Sequence, residues 1–449
     1  MDNTKETRRP RMVTALSETF GLSSTVASVI TFFIVAICVL AVVWVVRSAP
    51  PRTLTISSGR PGSSFQRQAE SYKKILATHG VTLRILPSEG SKENLQRLEN
   101  AGSGVDIGFV QGGLTDGADL SGLVSLGSVS YQPLWIFYRG SSPIDRLSAL
   151  EGKRIAIGDE RSGTHVLALA LLKANGITGE PTTLLDLDAE VAAKGLSDGS
   201  VDALFLMGDS APVQTLRELI RSPDVQVYNF TQADAYVRRY AYLNRIELPE
   251  GSIDLGKNLP AHDLVLVGPT VELVARAGLN SALSDLLLEV AQEFHGKSGL
   301  FHKRGEFPAA LEHEFKLSED ALRYYKSGKS FFYRATNSFW LASLLNRMLV
   351  AFVPVVLLLI PAIRFFPSAY KWGIQLRFYG CYRRLLRLEQ DAAGPLSNEQ
   401  RQALLGRLDE MEKVVNRLKV PASFGDRFYG LQGHMMFVRE RLKAPVQQS

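Results

Sequence analysis

The sequence predicts an α/β protein of two doubly wound lobes, flanked by two transmembrane helices and followed by a C-terminal α-helical tail. Three observations carry this. Short strand-like runs alternate with helix-like runs between residues 52 and 300, and the alternation occurs twice in tandem; two long apolar segments bracket that region; and beyond the second segment apolar residues recur at helical spacing.

The first apolar segment sets the membrane reading. No charged residue occurs from Thr19 to Val46, and Val26 to Val46 is dominated by Val, Ile, Phe, Leu and Ala, more than the roughly 20 residues a bilayer crossing needs. Lys5, Arg8, Arg9 and Arg11 precede it, which keeps residues 1–23 in the cytoplasm. A cleaved signal peptide is the rival reading. It would have a shorter apolar region, and no small-x-small site stands before Pro50-Pro51, so residues 24–46 are read as an uncleaved anchor.

The second segment is shorter. Only Met348 to Ile363 is free of charge, and it contains Pro354 and Pro361. Arg347 and Arg364 can snorkel, Phe365 and Phe366 extend the apolar run, and Trp340 and Trp372 suit the headgroup zones, giving a second span over 340–366. A buried, proline-kinked core helix is the alternative. Arg364, Lys371, Arg377, Arg383, Arg384 and Arg387 follow at once and favour a real span with a cytoplasmic tail at 370–446. The expected location is the cytoplasmic (inner) membrane, with both termini in the cytoplasm, residues 52–334 periplasmic or extracellular, and the bilayer as a partner. The charge agrees: residues 48–334 carry 30 Lys/Arg against 34 Asp/Glu, whereas residues 335–449 carry 16 against 8, so the net +6 reflects the membrane flank. No basic recognition face for nucleic acid is present. Cys38 and Cys381, one in the apolar run and one among basic residues, form no framework.

Within the external region, strand Thr53–Ile56, helix Ser63–His79 closed by Gly80, strand Thr82–Leu86, a helix capped by Ser91 and strand Val105–Val110 make one βαβαβ unit. Strand Arg154–Ile157, helix Thr164–Asn175, strand Thr183–Leu185, helix Ala189–Leu196 and strand Val201–Leu206 repeat it. The lobes are expected at about 52–140 with 262–334, and 141–261.

In open α/β sheets ligands bind beyond the carboxyl ends of strands, where helix-start N–H groups attract anions. Four such junctions are rich in Gly and Ser: Ser57 to Ser64, Ser88 to Ser91, Gln111 to Gly113 and Arg161 to Thr164. At any single site, turns and helix caps are the commoner reason for such residues. Four in matching places of two tandem units point to a shared cleft.

The runs TLTISSGRPGSSFQRQAESYKKIL, PSEGSKENLQRLENAGSGVDIGFVQGG and LEGKRIAIGDERSGTHVLALALLKANGI resemble, in order and spacing, the solute receptors of TRAP transporters, specifically the TAXI family. GEFP, LSEDALRYYKSG, FWLASLLNRMLV and VPASFGDRFYGLQGHMMFVRERL resemble its membrane-anchored subgroup. The resemblance implies a two-lobed type II periplasmic-binding-protein fold, a small, glutamate-like or dicarboxylate cargo and a separate TRAP permease as partner. Carried over by position, the ligand-facing residues are Ser58, Gly62, Ser63, Ser64, Phe65, Ser88, Gly90, Ser91, Asn94, Gln111, Ser162, Gly163 and Thr164. Arg60, with Pro61, and Arg161 depart from the family pattern; each suits bidentate capture of a carboxylate, or solvation at the cleft rim.

Nothing in the sequence points to catalysis, a metal or a cofactor. The seven histidines (79, 165, 262, 295, 302, 313 and 434) lack ligand spacing, and no nucleophile elbow or P-loop occurs. His165 follows Thr164, but neighbours on a helix do not face each other, so it reads as a surface or core residue. Asp186, Asp188 and Asp209 lie at strand ends without a partner motif and read as caps or hinge contacts.

The tail carries three apolar stripes: Ile374, Phe378, Cys381, Leu385 and Leu388; Leu404, Leu408, Met411, Val415 and Leu418; and Phe428, Leu431, Met435, Val438 and Leu442. Ser397 to Gln400 is a capping-box pattern, and Pro421 separates the last two helices. A self-contained helical bundle and a homo-oligomerisation element both fit. The functional expectation is a membrane-tethered receptor delivering a solute to a permease, with a ligand sensor signalling through the second span and tail as the alternative.

Overall fold

The computed structural model describes residue 14 and residues 24–140, 142–311, 314–329, 331–336, 338–394, 396–417, 420 and 424–443. Lys5, Arg8, Arg9, Arg11, His313, Leu418 and Pro421, and the side chains of Ile363, Arg364 and Phe366, lie outside what is described. The chain forms two compact units, one of residues 49–345 and one of residues 1–48 with 346–449.

Helix α1 (Ser24–Arg47) belongs to the latter unit. In the former, β1 (Thr53–Ser57), α2 (Ser64–Thr78), β2 (Thr82–Leu86), α3 (Ser91–Glu99), β3 (Ile107–Gln111) and β4 (Leu123–Tyr131) begin the first lobe. The second lobe holds β5 (Trp135–Arg139), β6 (Arg154–Ala156), α4 (Gly163–Ala174), β7 (Thr183–Leu185), α5 (Ala189–Asp198), β8 (Ala203–Leu206), α6 (Val213–Arg221), β9 (Val225–Val227), α7 (Ala233–Arg239) and β10 (Leu243–Leu248). Strand β11 (Leu264–Arg276) returns to the first lobe and leads into α8 (Ser281–His295), α9 (Glu319–Ser327) and α10 (Phe331–Thr336).

The two sheets repeat one plan. The first, of six strands, runs β2-β1-β3-β11-β10 with β4 also paired to β11, and the second runs β7-β6-β8-β5-β9, each with three parallel strands followed by an antiparallel strand entering from the other side of the crossing. This is the two-lobed α/β architecture expected from the alternation. The lobe boundary differs. Trp135–Arg139 pairs with β8 in the second sheet, and Leu264–Pro269 pairs with β10 beside it, so the division falls at Gln132–Leu134 and Gly268–Pro269 instead of 140/141 and 261/262. There the connections are stitched together by Gln132 N–H to Pro269 O and Leu134 N–H to Val267 O, both 2.9 Å. The reason lies in strand length: β11 has 13 residues, enough to serve both lobes, and no turn marks where it passes between them.

Each lobe has its own core. In the first, α2 turns Phe65, Ala69, Tyr72 and Leu76 onto the sheet, where Phe65 and Tyr72 meet Phe109 at ring distances of 5.4 and 5.6 Å. Burying each such side chain stabilises by roughly 1.5–3 kcal/mol. In the second, Phe137 and Phe205, both fully buried, hold the sheet between α4 and α5.

A buried acid sits in the first core. Glu272 on β11 is 1 % exposed, and burial raises its pKa to about 7, with nearby Glu314 pushing the same way. The folded pKa thus lies above the unfolded one, so the contribution is complete below pH ~4.5 and is lost as pH rises to ~7. Glu272→Gln is expected to remove that loss, gaining up to about 3 kcal/mol over wild type at pH 8 and little at pH 4. Denaturant unfolding of both proteins at the two pH values checks it. Asp285, raised to about 6 by burial, titrates in the same sense, and His295, lowered to about 3, in the opposite sense. Both are common to the two proteins and cancel in the difference.

In the other unit, α1 and α11 (Phe339–Asp391) run antiparallel: Arg347 Nη1 donates to Val45 O at 2.6 Å near one end, and Ala27 packs by Tyr370 near the other. Thr25–Arg47 and Phe339–Ala362 are long and apolar enough to cross a membrane, and their apolar side chains, among them Phe32, Leu40, Leu357 and Leu358, face outward. The last carbonyls of a helix lack full intrahelical pairing and carry the negative end of its dipole, so Ser48 Oγ and Arg347 both donate to Val45 O. Helix α11 runs through Pro354 and Pro361 without interruption, so no break in the chain separates the segments expected at 340–366 and 370–446. Its start is tied elsewhere than expected: Trp340 Nε1 donates to His79 O at 2.9 Å and Phe339 is buried in the core of the first lobe.

The three tail stripes converge. Leu385 and Leu388 of α11, Leu404, Leu408 and Val415 of α12 (Asn398–Asn416), and Leu431, Met435 and Val438 of α13 (Gly425–Lys443) form one buried cluster, and the Ser397/Gln400 capping box is formed. The stripes thus satisfy one another within a single chain.

Candidate solute cleft between the lobes

The β1–α2, β2–α3, β6–α4 and β8–α6 junctions all lie where the two lobes meet, because parallel strands of both sheets point their carboxyl ends there. The lobes are in contact. Ser64 N–H and Oγ both donate to Gly208 O (2.9 and 2.6 Å), Val213 N–H to Gly62 O (3.2 Å), Glu93 N–H to Arg161 O (3.1 Å) and Gln111 Nε2 to Gly163 O (3.1 Å).

At the centre is Asp209, fully buried. One carboxylate oxygen accepts from Gly163 N–H at 2.8 Å and from Ser91 N–H at 3.3 Å; the other accepts from Thr164 Oγ1 at 3.1 Å and Ser210 Oγ at 3.0 Å. The first turn of a helix from each lobe thus converges on one carboxylate, each offering unpaired N–H groups and the positive end of its dipole. Burial raises the Asp209 pKa, and these hydrogen bonds oppose the rise. Gly90 makes the approach feasible: its φ of +140° suits glycine, and a Cβ there would overlap the Asp209 carboxylate.

Around this centre lies an ionic rim. Arg60 of the first lobe pairs with Glu89 beside it and reaches Asp159 (3.7 Å) and Asp188 (3.6 Å) across the cleft. Arg161 of the second lobe reaches Glu89 (3.5 Å) and Glu93 (3.8 Å) in return. Partly solvated pairs contribute about 0–1 kcal/mol each, so the rim orients closure and the buried carboxylate contributes more. With Lys92 and with Arg97, which pairs with Glu93 at 2.6 Å, the rim and centre hold four cations, Arg60, Lys92, Arg97 and Arg161, against five carboxylates, Glu89, Glu93, Asp159, Asp188 and Asp209.

The residues expected to face a solute divide into two groups. Ser64, Ser91, Gln111, Gly163 and Thr164 meet at the interlobe contact, with Arg60 and Arg161 at its rim. Ser63 and Ser162 also lie there, but their hydroxyls cap α2 and α4 by accepting from Gln66 N–H and His165 N–H. Gly62 makes its bonds at the same edge. Others point away. Phe65 is in the hydrophobic core, and Asn94 ties the first lobe internally, its Oδ1 accepting from Ser57 and Ser88 and its Nδ2 donating to Ser58 O and Phe109 O. Ser91 does not cap its helix: Gly90 is the cap residue. His165 Nδ1 lies 3.2 Å from Asp186, while the Thr164 hydroxyl is bound to Asp209 and Ser210, so the two do not pair.

Asp209, Ser210, Gly208 and Gln132 are additions that sequence reasoning did not place in the site. The Gln132 amide, with its oxygen turned inward, accepts from the Gly208 and Asp209 N–H groups, 2.7 Å to the latter. Asp209 carried a partial signal as a strand-end carboxylate, but apart from the adjacent Ser210 the donors to its carboxylate are 45 or more residues away in sequence.

Comparison with known proteins gives the following likenesses. The NMT1-like family matches residues 67–259. Among solved structures, an ancestral arginine-binding protein bound to arginine shares 15 % identity, with 54 % of this chain and 92 % of that one covered, at a TM-score of 0.36. The alkanesulfonate-binding protein SsuA from Xanthomonas axonopodis pv. citri bound to MOPS shares 17 %, covering 55 % and 73 %, at 0.33. The periplasmic aliphatic sulphonate binding protein SsuA from Escherichia coli shares 16 %, covering 67 % and 84 %, at 0.33.

Proposed function

We propose that this chain is a membrane-tethered receptor whose two lobes close on a small solute bearing a carboxylate. The observation that carries this is the convergence of helix starts from both lobes on one buried carboxylate, that of Asp209. The side chain marks where a solute carboxylate would sit. On opening, Ser91 N–H parts from the second lobe, and a solute carboxylate takes the place of Asp209 between the two helix starts. Displacing a buried carboxylate without compensating it costs several kcal/mol. A solute that also carries an ammonium group supplies the compensation, and with four rim carboxylates against four rim cations no cation is left over for the second charge of a dianion. The favoured solute is therefore a small zwitterion of the amino-acid type, and a TRAP-type permease is the proposed recipient. Calorimetry of the detergent-solubilised chain against amino acids, dicarboxylates and oxo-acids tests this; binding of dicarboxylates in preference to zwitterions would reject it. Thr164→Val is expected to weaken the zwitterion by about 0.5–1.5 kcal/mol, the range of one net hydrogen bond.

The proposed topology places α1 and the first part of α11 in the inner membrane, with both termini cytoplasmic. Its support is the antiparallel pairing of the two apolar helices. A reporter after Ser449 is expected to read cytoplasmic and one at Gly251 external; an external reading after Ser449 would reject the arrangement. A sensor role keeps one specific support, the single helix that starts in the core of the first lobe and ends in that of the tail. Under delivery, removing residues 394–449 leaves solute affinity unchanged; under signalling it shifts affinity.

A further inference from the structure

Adjoining the Asp209 centre, and sharing Ser64, Gly208 and Gln132 with it, a recess of 420 Å³ lies between α2 of the first lobe and α6 of the second, against the β4–β5 crossing and residues 300–302. Its chemistry is lopsided. Arg67 on α2 and Arg217 on α6 both line it, and neither guanidinium has an ion pair or side-chain hydrogen bond among the described residues, unlike Arg60, Arg154 or Arg323. The two are near enough that Arg217, after burial, holds the Arg67 pKa down. Three further polar atoms on its wall, Ser130 Oγ, Gln68 Oε1 and Ser252 Oγ, are buried without a partner, and Ser130 is 8 % exposed. Buried polar groups are nearly always satisfied, so the two unpartnered hydroxyls beside two uncompensated cations call for a ligand that accepts hydrogen bonds and carries negative charge, while Gln68 Oε1 can accept from a donor on the same ligand. The wall also carries an aromatic corner, where Trp135 and Phe301 lie edge to face at 6.2 Å, with Val213, Leu216 and Ile220 beside it. The volume falls within the roughly 300–1,000 Å³ of small-molecule sites.

We propose that this recess is a second ligand site, beside the Asp209 centre, which takes an aromatic carboxylate: the carboxylate between Arg67 and Arg217, hydrogen-bonded by the Ser130 and Ser252 hydroxyls, and the ring against Trp135 and Phe301. A planar guanidinium matches a carboxylate in a bidentate manner, and two of them from opposite lobes make the ligand a clasp across the crossing. Because the clasp joins α2 to α6, its occupancy favours the closed lobes independently of what the cleft holds.

The test uses the full chain in detergent, with tryptophan fluorescence and calorimetry against benzoate, phenylacetate, succinate and inorganic phosphate. Benzoate and phenylacetate are expected to bind, to perturb Trp135 emission, and to weaken with rising salt. Arg67→Ala with Arg217→Ala is expected to weaken them at least ten-fold without moving the melting temperature, since both side chains are exposed on helix surfaces. Trp135→Phe should abolish the fluorescence change while the heat of binding persists. Equal binding by the double variant, or phosphate binding as well as benzoate, would overturn the site, as would no binding of either aromatic acid to wild type. A zwitterion titrated in parallel reads the cleft separately.

Discussion

Asp209→Ala is expected to separate the lobes, and added acetate or formate at millimolar concentration to bring them back together. The substitution leaves Gly163 N–H, Ser91 N–H, Thr164 Oγ1 and Ser210 Oγ without their common acceptor. Buried donors left unmade cost about 1–3 kcal/mol each, and water entering an opened cleft recovers part, so a net loss of about 3–5 kcal/mol for the closed form is expected. A small carboxylate fits the vacated position because the donors come from helix starts that stay rigid within their own lobes. Asp209→Asn is expected to cost far less: one amide oxygen serves both N–H groups, and the two hydroxyls can turn to accept from the amide nitrogen. The distance between labels on the two lobes, followed with and without acetate, reads the result. An Asp209→Ala protein that stays closed, or one that acetate leaves open, would show that the rim and backbone contacts hold the lobes and that the converging helix starts are incidental.

The second large effect is expected at the crossing. A Cβ on Gly268 would collide with the Gln132 carbonyl and come within 2.8 Å of its carbon and 3.0 Å of Pro133 Cα, all backbone atoms of the opposite connection. Backbone has no rotamer to yield with, so Gly268→Val must push the two interlobe connections apart and strain the bonds from Gln132 to Pro269 and Leu134 to Val267. Overpacking of this kind costs about 3 kcal/mol or more, which for a unit this large lowers the melting temperature by roughly 6–12 °C. Gly122→Ala, where a Cβ would meet no atom within 4 Å, is the control and should melt within a degree or two of wild type. Scanning calorimetry of the three proteins decides it. A Gly268→Val protein as stable as the control would mean that the crossing is compliant.

Both predictions rest on contacts that local sequence could not disclose, and the physical division is clear. Periodicity and composition determined what depends on near neighbours: the alternation of strands and helices in each lobe, the Ser397 capping box, two apolar helices of spanning length and three stripes that make a tail bundle. They also located the junctions at strand ends, because glycine and hydroxyl residues gather there for local reasons. What those junctions face was decided only by tertiary structure. Ser91 N–H meets Asp209 across 118 positions of chain, and Gly163 N–H meets it across 46, so no window of sequence contains the pair. For the same reason Asn94 and Phe65, placed at the cleft by their position in a motif, turn inward: a helix start presents its N–H groups to the cleft and its side chains to whichever neighbour the fold supplies. The lobe boundary likewise escaped pattern reading, because β11 continues as one strand through Gly268-Pro269, and its division between its neighbours depends on which strands lie beside it.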